Sequence, residues 1–393
     1  MKKIISKIKT LIDIIITYPI YFLSFLFPKN KKIWVFIGWH LKNNGEIFAD
    51  NTKYLFLYTS QNEKNIKAIW LAKNKKLAKK LNKLGYISYY DKSLKGIYYA
   101  LRAKYTIIDA YLQRQNFRYT GGSKIIQLLH GKGMKKGGYA KKILKHNDYI
   151  FTTSNFTINL LPESFTKNSK CIVSGFSRDD SFFTEIKNSE IDTDIICLKK
   201  ISPNTLKRVV GIKESNTENK NILYAPTFRR NMKNFDLESI LNLQNWLKEN
   251  AYSLFISLHS KYRIQKRLEN SKNIFFIKDC DITPLLKYFD LLITDYSSIF
   301  TDFLLTNNRI IFYPFDLQDY KQKEGLCFDY NKFTPGPKVF NITELKKELN
   351  EVFIEDKYQE KRLEIKNLYH KYTDKNASQR IIETIKKEEN LNF

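Results

Sequence analysis

The chain has 393 residues, a formal net charge of +27 and 15% aromatic residues. That length accommodates two ordinary domains, each burying its own core, and the aromatic content excludes a polymer held open by its charge. The surplus of lysine and arginine attracts anions, so nucleic acid, an anionic membrane face and phosphate-rich substrates are the partner classes to weigh.

In chain order, the first segment runs from Met1 to about Asn30 and carries lysines at both ends of an apolar run interrupted by Asp13 and Pro19. The uncharged stretch from Ile14 to Phe27 is shorter than the roughly 20 apolar residues that span a bilayer. No small-residue cleavage site follows it, which speaks against a signal peptide. It reads as a monotopic segment in the cytoplasmic leaflet, with Lys2, Lys3, Lys7, Lys9, Lys29, Lys31 and Lys32 toward anionic headgroups. The competing reading is an ordinary helix docked on the body of the protein.

From Lys31 onward short apolar runs alternate with segments at helical spacing. KIWVFIGW, IKAIWLA, YTIIDA, KIIQLLH, YIFTTS and KCIVSG read as buried strands of a first half. NILYAPTF, YSLFISLH, NIFFIKD, DLLITDY and RIIFYPF repeat the scheme in a second. Between the latter lie helix candidates at 237–251, 261–271 and 297–307. Buried strands separated by helices imply parallel sheets, hence two doubly wound α/β halves. The expected divisions are 1–30, 31–176, a connection over 177–220, and 221–393. Cys171, Cys197, Cys280 and Cys327 are widely separated, without a CxxC pair or a histidine at ligand spacing. Neither a zinc site nor a disulfide framework is indicated, and a reducing cytosol fits.

Ligands of such sheets bind outside the carboxyl ends of the strands, so the residues just past each strand carry the functional information. After KIIQLLH come His130, Gly131, Lys132, Gly133, Lys135 and Lys136. The glycine spacing is neither a dinucleotide fingerprint nor a Walker loop. The surroundings are basic throughout: no acidic residue stands between Asp109 and Asp148. In the second half, Asp295, Ser297 and Ser298 stand where a strand passes into a helix, a place where exposed N–H groups can meet an anion. Thr227, Arg229 and Arg230 follow another strand, and arginine suits bidentate phosphate contacts. His259 follows the next. Each of these could be a structural cap or a core histidine; together they favour an anionic ligand. A nucleic-acid binder is disfavoured, because no binding module accompanies the charge.

The segments LLHGKGMKK, GFSRDD, NILYAPTFR, LHSKYR, LLITDYSSIFTDFLLTNNRIIFYPFD and GLCFDYNKFTPGP occur in an order and spacing that resembles the CDP-glycerol glycerophosphotransferase family of teichoic-acid and capsule transferases. The resemblance implies a GT-B fold with an acceptor-side N-terminal domain and a nucleotide-binding C-terminal domain. It implies transfer of a polyol phosphate from CDP-glycerol or CDP-ribitol to a lipid-linked glycan or polyol-phosphate acceptor, at the cytoplasmic membrane face, with release of CMP. By the same resemblance His130 and His259 are catalytic. Thr227, Arg229, Asp295, Ser297 and Ser298 hold the donor; Gly131, Lys135, Lys136 and Arg178 serve the acceptor side, and Gly175 and Asp180 lie at the domain junction. No acidic metal cluster is evident, and Mg²⁺ entering with the nucleotide is compatible with the sequence. The alternative on the same scaffold is a glycosyltransferase using a nucleotide-sugar.

Overall fold

The computed structural model describes residues 14–41, 45–46, 48–112, 114–131, 134, 147–185, 219–227, 229, 237–258, 273–277 and 281–393. Among these, two sheets account for the fold, and every strand in them is parallel to its neighbours. The first contains β1 (Asn30–Ile37), β2 (Lys67–Ala72), β3 (Ser88–Tyr90), β4 (Ala103–Ile108), β5 (Lys124–Gln127), β6 (Tyr149–Thr152) and β7 (Lys170–Val173), in the order β3-β2-β1-β4-β5-β6-β7. The second contains β8 (Lys220–Tyr224), β9 (Tyr252–Ser257), β10 (Ile274–Ile277), β11 (Leu291–Thr294) and β12 (Arg309–Phe312), in the order β10-β9-β8-β11-β12. Both orders run outward in two directions from a first strand, as in doubly wound sheets.

All eleven strands expected from sequence are present. Among the described residues three short strands were missed: β3, a three-residue edge strand, Ser-Tyr-Tyr, and the two-residue antiparallel pair His40–Leu41 and Gly45–Glu46, all too short for a periodic signal. The helix expected over 237–251 is two, Leu237–Leu241 and Gln244–Glu249, separated by a turn in which Leu243 N–H bonds to the Ile240 carbonyl. The segment 297–307 forms only a short helix, Ile299–Phe303, and a 3₁₀ turn ended by Asn307 at φ 57°. The candidate over 261–271 lies outside the described residues, as do Cys197 and Cys280; Cys171 and Cys327 stand outside any disulfide.

Contacts divide the chain into two compact units. One comprises 1–130, 138–180 and 376–393, the other 131–137 and 181–375. This corrects the expected C-terminal division, which assigned 376–393 to the second half. The helix Ala377–Glu388 buries Ile381, Ile382 and Ile385 in the first unit. Arg380 Nε donates to the Ser174 carbonyl at 2.8 Å, and Asp180 accepts from the N–H groups of Ala377 and Ser378 at 2.8 and 3.0 Å. Gly175, at φ 83°, brings the backbone so close that a Cβ there would lie 3.1 Å from Ala377 Cβ. Residues about half the chain apart thus meet, 197 positions for Asp180 and Ala377 and 206 for Ser174 and Arg380, because the helix carries an apolar face that the first unit covers.

Asp180 also sets a pH dependence. Burial, the largest influence, raises its carboxyl to about 6, against the lowering effects of the Ser378 and Ala377 hydrogen bonds and of Arg380. The folded value lies above the unfolded one of about 3.9, so the folded state binds the proton more tightly, and stability from this group declines as pH rises between about 4 and 6. In Asp180→Asn that part of the Tm-against-pH curve should flatten. An unchanged slope would remove the assignment.

The N-terminal run forms a helix over 14–23 and a 3₁₀ turn, Ser24–Leu26, both in the first unit. Tyr21 stacks on Phe117 with ring centres 4.4 Å apart, and Ser24 Oγ accepts from Gly121 N–H at 2.8 Å. Gly121 is required: a Cβ there would fall on Ser24 Oγ and within 2.8 Å of the Tyr21 carbonyl oxygen. The other side is bare, with Ile15, Phe22 and Leu26 exposed by 61%, 66% and 78%. Among the described residues no helix is long and apolar enough to cross a membrane. Lys29 donates to the Leu101 carbonyl at 2.5 Å, so this lysine anchors the segment on the unit, away from the headgroup role expected for it.

Candidate active site

In the first unit the strand order reverses between β1 and β4, and the segments leaving them carry Trp39 and Asp109. The chain after β5 joins them. Leu128 N–H extends the ladder to the Ile108 carbonyl at 2.7 Å, Leu129 turns left-handed at φ 58°, and His130 emerges exposed. Its Nδ1 lies 3.1 Å from the main-chain oxygen of Asp109, and its ring runs parallel to Trp39, 4° between planes and 6.3 Å between centres. A carbonyl only accepts, so Nδ1 carries the hydrogen and Nε2 is the basic nitrogen of the neutral imidazole. Gly131, at φ 95°, is buried.

Beneath His130 sits a buried polar cluster. Asp109 Oδ2 accepts from Thr52 N–H at 3.2 Å. Burial, then the charge of Asp50, raises the Asp109 carboxyl well above the usual range, opposed by Thr52 and Arg178. Arg178 is 4% exposed; Nη1 donates to Asp50 Oδ1, and its main-chain N–H to Asn51 Oδ1 at 3.1 Å. Arg178, expected on the acceptor side, closes an ion pair at the start of the helix Asp50–Asn62.

The second unit has its switch point between β8 and β11, and there Arg229 and Asp295 meet. Asp295, 1% exposed, accepts from Thr227 N–H at 2.8 Å, Thr227 Oγ1 at 2.7 Å, its neighbour Tyr296 N–H at 2.6 Å, and Arg229 Nη1. The other edge of the guanidinium grips Asp316 through Nε at 3.0 Å and Nη2 at 2.8 Å. Burial opposes the charge on Arg229, but the two carboxylates outweigh it and raise its pKa. Aromatic rings of Tyr296, Phe315 and Tyr320 surround the guanidinium. Burial, then Asp316 and Asp295, pushes the Tyr296 phenol upward, so it keeps its hydrogen and donates to Asp316 Oδ1 at 3.1 Å. Tyr330 OH donates to the Asp295 carbonyl at 3.0 Å. The helix end beyond is weakly capped: Ser297 Oγ accepts from Ile299 N–H at 3.4 Å, and Ser298 makes no side-chain cap.

The structure therefore brings Thr227, Arg229 and Asp295 together, with Ser297 and Ser298 following directly in the chain, and separately sets His130 beside Asp109 and Trp39. His259, Lys135 and Lys136 lie outside the described residues. Sequence reading missed Trp39, Asn51, Gln127 and Asp316. Trp39 and Asp316 each follow a strand by a few residues, so the strand-end rule could have found them; Asn51 and Gln127 sit within elements and gave no such signal.

Comparison with known proteins places the chain. The model of the family described as CDP-glycerol:poly(glycerophosphate) glycerophosphotransferase matches residues 20–387. A teichoic acid glycerol-phosphate primase of Bacillus subtilis (strain 168) is 30% identical over 319 residues, covering 74% of this chain and 76% of the relative. A teichoic acid glycerol-phosphate transferase of Staphylococcus aureus (strain NCTC 8325 / PS 47) is 26% identical over 416 residues, covering 96% and 99%. Among solved structures, a variant of the wall teichoic acid polymerase TagF superposes with a TM-score of 0.71 at 20% identity, covering 100% of this chain and 99% of that one, a likeness of fold. With the family model spanning nearly its whole length, the chain belongs to the CDP-glycerol:poly(glycerophosphate) glycerophosphotransferase family and is a phosphotransferase enzyme.

Proposed function

We propose that the protein transfers glycerol phosphate, or a related polyol phosphate such as ribitol phosphate, from its CDP derivative to a hydroxyl of a lipid-linked or growing glycan acceptor. The product polymer would be teichoic-acid-like or capsular. The observation that carries this reading is His130, exposed at the carboxyl end of β5 with Nδ1 held by the Asp109 carbonyl, so that Nε2 is set to take a proton. Nε2 removes the hydrogen of the acceptor hydroxyl while its oxygen attacks the distal phosphorus of the CDP-linked diphosphate. The bond from that phosphorus to the bridging oxygen breaks, and CMP departs with the electron pair. Such transfers depend chiefly on positioning and on neutralising charge. On the donor side the proposal assigns that work to His259, Ser297, Ser298 and the strand ends that Thr227, Arg229 and Asp295 hold in place; Lys135, Lys136 and Gly131 serve the acceptor. A GT-B-like pairing of the two units belongs to the same reading.

The test is CMP release from CDP-glycerol and from CDP-ribitol, with a lipid-linked acceptor extract, with and without Mg²⁺. Acceptor-dependent release from one donor supports the reading and names the polyol. Failure with both, beside an active control enzyme, would reject it.

The bare apolar side of the 14–27 segment extends the proposal to a peripheral, monotopic seat on the cytoplasmic face of the membrane, against anionic lipid. Phe22→Asp together with Leu26→Asp removes apolar area without touching the docked side, so flotation with anionic vesicles should fall several-fold while Tm holds. Undiminished flotation would place the membrane contact elsewhere.

A further inference from the structure

Leu129 is the residue before His130, and it is left-handed, at φ 58°, a conformation that Cβ crowding disfavours for any residue but glycine. A backbone in that region persists only where its surroundings hold it. Two fully buried amide side chains do so. Gln127, 3% exposed, accepts from Leu129 N–H through Oε1 at 2.9 Å and donates from Nε2 to the Ala110 carbonyl at 2.8 Å. Asn51, 0% exposed, donates from Nδ2 to the Leu129 carbonyl at 2.9 Å and accepts from Arg178 N–H through Oδ1. Both main-chain groups of the strained residue are therefore clamped, one from each side.

The same helix start fixes the other anchor of the imidazole. Thr52 N–H bonds to the side chain of Asp109, whose main-chain oxygen receives His130 Nδ1. The Ser177 hydroxyl donates to the Asn51 carbonyl at 2.6 Å and ties this first helical turn down. We propose that Asn51 and Gln127 are positioning residues for His130, holding Leu129 left-handed so that the ring is delivered to the Asp109 carbonyl with Nε2 outward. They act on the reaction only through His130. The inference rests on His130 being the base of the proposed transfer.

Both amides are needed for their particular atoms. Alanine at 51 removes the donor to Leu129 and frees it to relax toward ordinary φ, which would carry the ring away from Asp109. Aspartate keeps the shape of asparagine: protonated, it can still donate to the Leu129 carbonyl, whereas ionised it can only accept and repels that oxygen.

The experiment measures CMP release by the full chain at saturating CDP-glycerol with acceptor extract, for Asn51→Ala, His130→Ala and the double variant. Asn51→Ala should lose about 10- to 100-fold in kcat, the scale of an ångström misplacement, with the donor KM within about two-fold of wild type. In the His130→Ala background the same substitution should cause no further loss, since residues acting as a unit are not additive. An equal further loss in that background would make Asn51 merely structural and overturn the proposal, as would wild-type kcat in Asn51→Ala. If His130→Ala itself turns over normally, the base assignment falls too, so the two failures are told apart. Should Asn51→Ala not fold, Asn51→Asp serves: its kcat should decline with rising pH relative to wild type as the introduced carboxyl ionises, and a ratio to wild type that is flat with pH would overturn the proposal.

Discussion

Replacing His130 with alanine is expected to lower CMP release by about 10²- to 10⁴-fold, the range for a positioned general base, with no change in fold. The contrast follows from where the side chain sits. His130 is exposed, and its ring lies within hydrogen-bond distance of a main-chain oxygen and parallel to Trp39. Removing it leaves no cavity in the core, and surface substitutions of this kind usually fall within about 0.5 kcal/mol. Tm and CDP-glycerol affinity, by calorimetry, should stay at wild-type values while turnover collapses. Turnover within a few-fold of wild type would show that another group takes the acceptor's proton.

Arg229→Ala should behave in the opposite way, with its largest effect on stability. The guanidinium lies between two carboxylates that are themselves sequestered, Asp295 at 1% and Asp316 at 11% side-chain exposure. Without it, Asp295 keeps its hydrogen bonds from Thr227 and Tyr296 but loses its counter-charge, and Asp316 loses both charge-assisted bonds. Breaking a buried pair by deleting one partner costs about 3–5 kcal/mol, which for a unit of this size lowers its unfolding transition by on the order of 10 °C. Arg229→Lys should recover only part of this, because an ammonium cannot span both carboxylates as the planar fork does. Donor binding should suffer as well, since β8 and β11 deliver Thr227 and Ser297 from the two ends that Arg229 and Asp295 join. The decisive comparison is made without donor. If Arg229→Ala unfolds at the wild-type temperature while donor affinity alone falls, the arginine acts by direct contact with the diphosphate, as its position after a strand first suggested.

The two substitutions also show how the site divides between sequence and structure. The strands were legible because uninterrupted runs such as IWVFI and IFFI leave no polar face, which only a strand covered on both sides tolerates. With the strands came their ends, and so His130, Thr227, Arg229, Asp295 and the two serines as the places to look. The family motifs, read in order along the chain, added the chemistry. What a linear pattern could not contain is who meets whom. Arg229 finds Asp295 across 66 positions and Asp316 across 87, and Asn51 finds the Leu129 carbonyl across 78. Those pairings depend on the order in which parallel strands add to a sheet, and periodicity specifies the faces of an element without specifying its neighbours. The same reason put 376–393 in the first unit and paired Arg178 and Arg229, two arginines that sequence pointed at phosphate, with carboxylates. Residue type and strand position determined where charge would be concentrated; the tertiary structure decided which of those charges are consumed in holding the strand ends and that His130 stands at the surface.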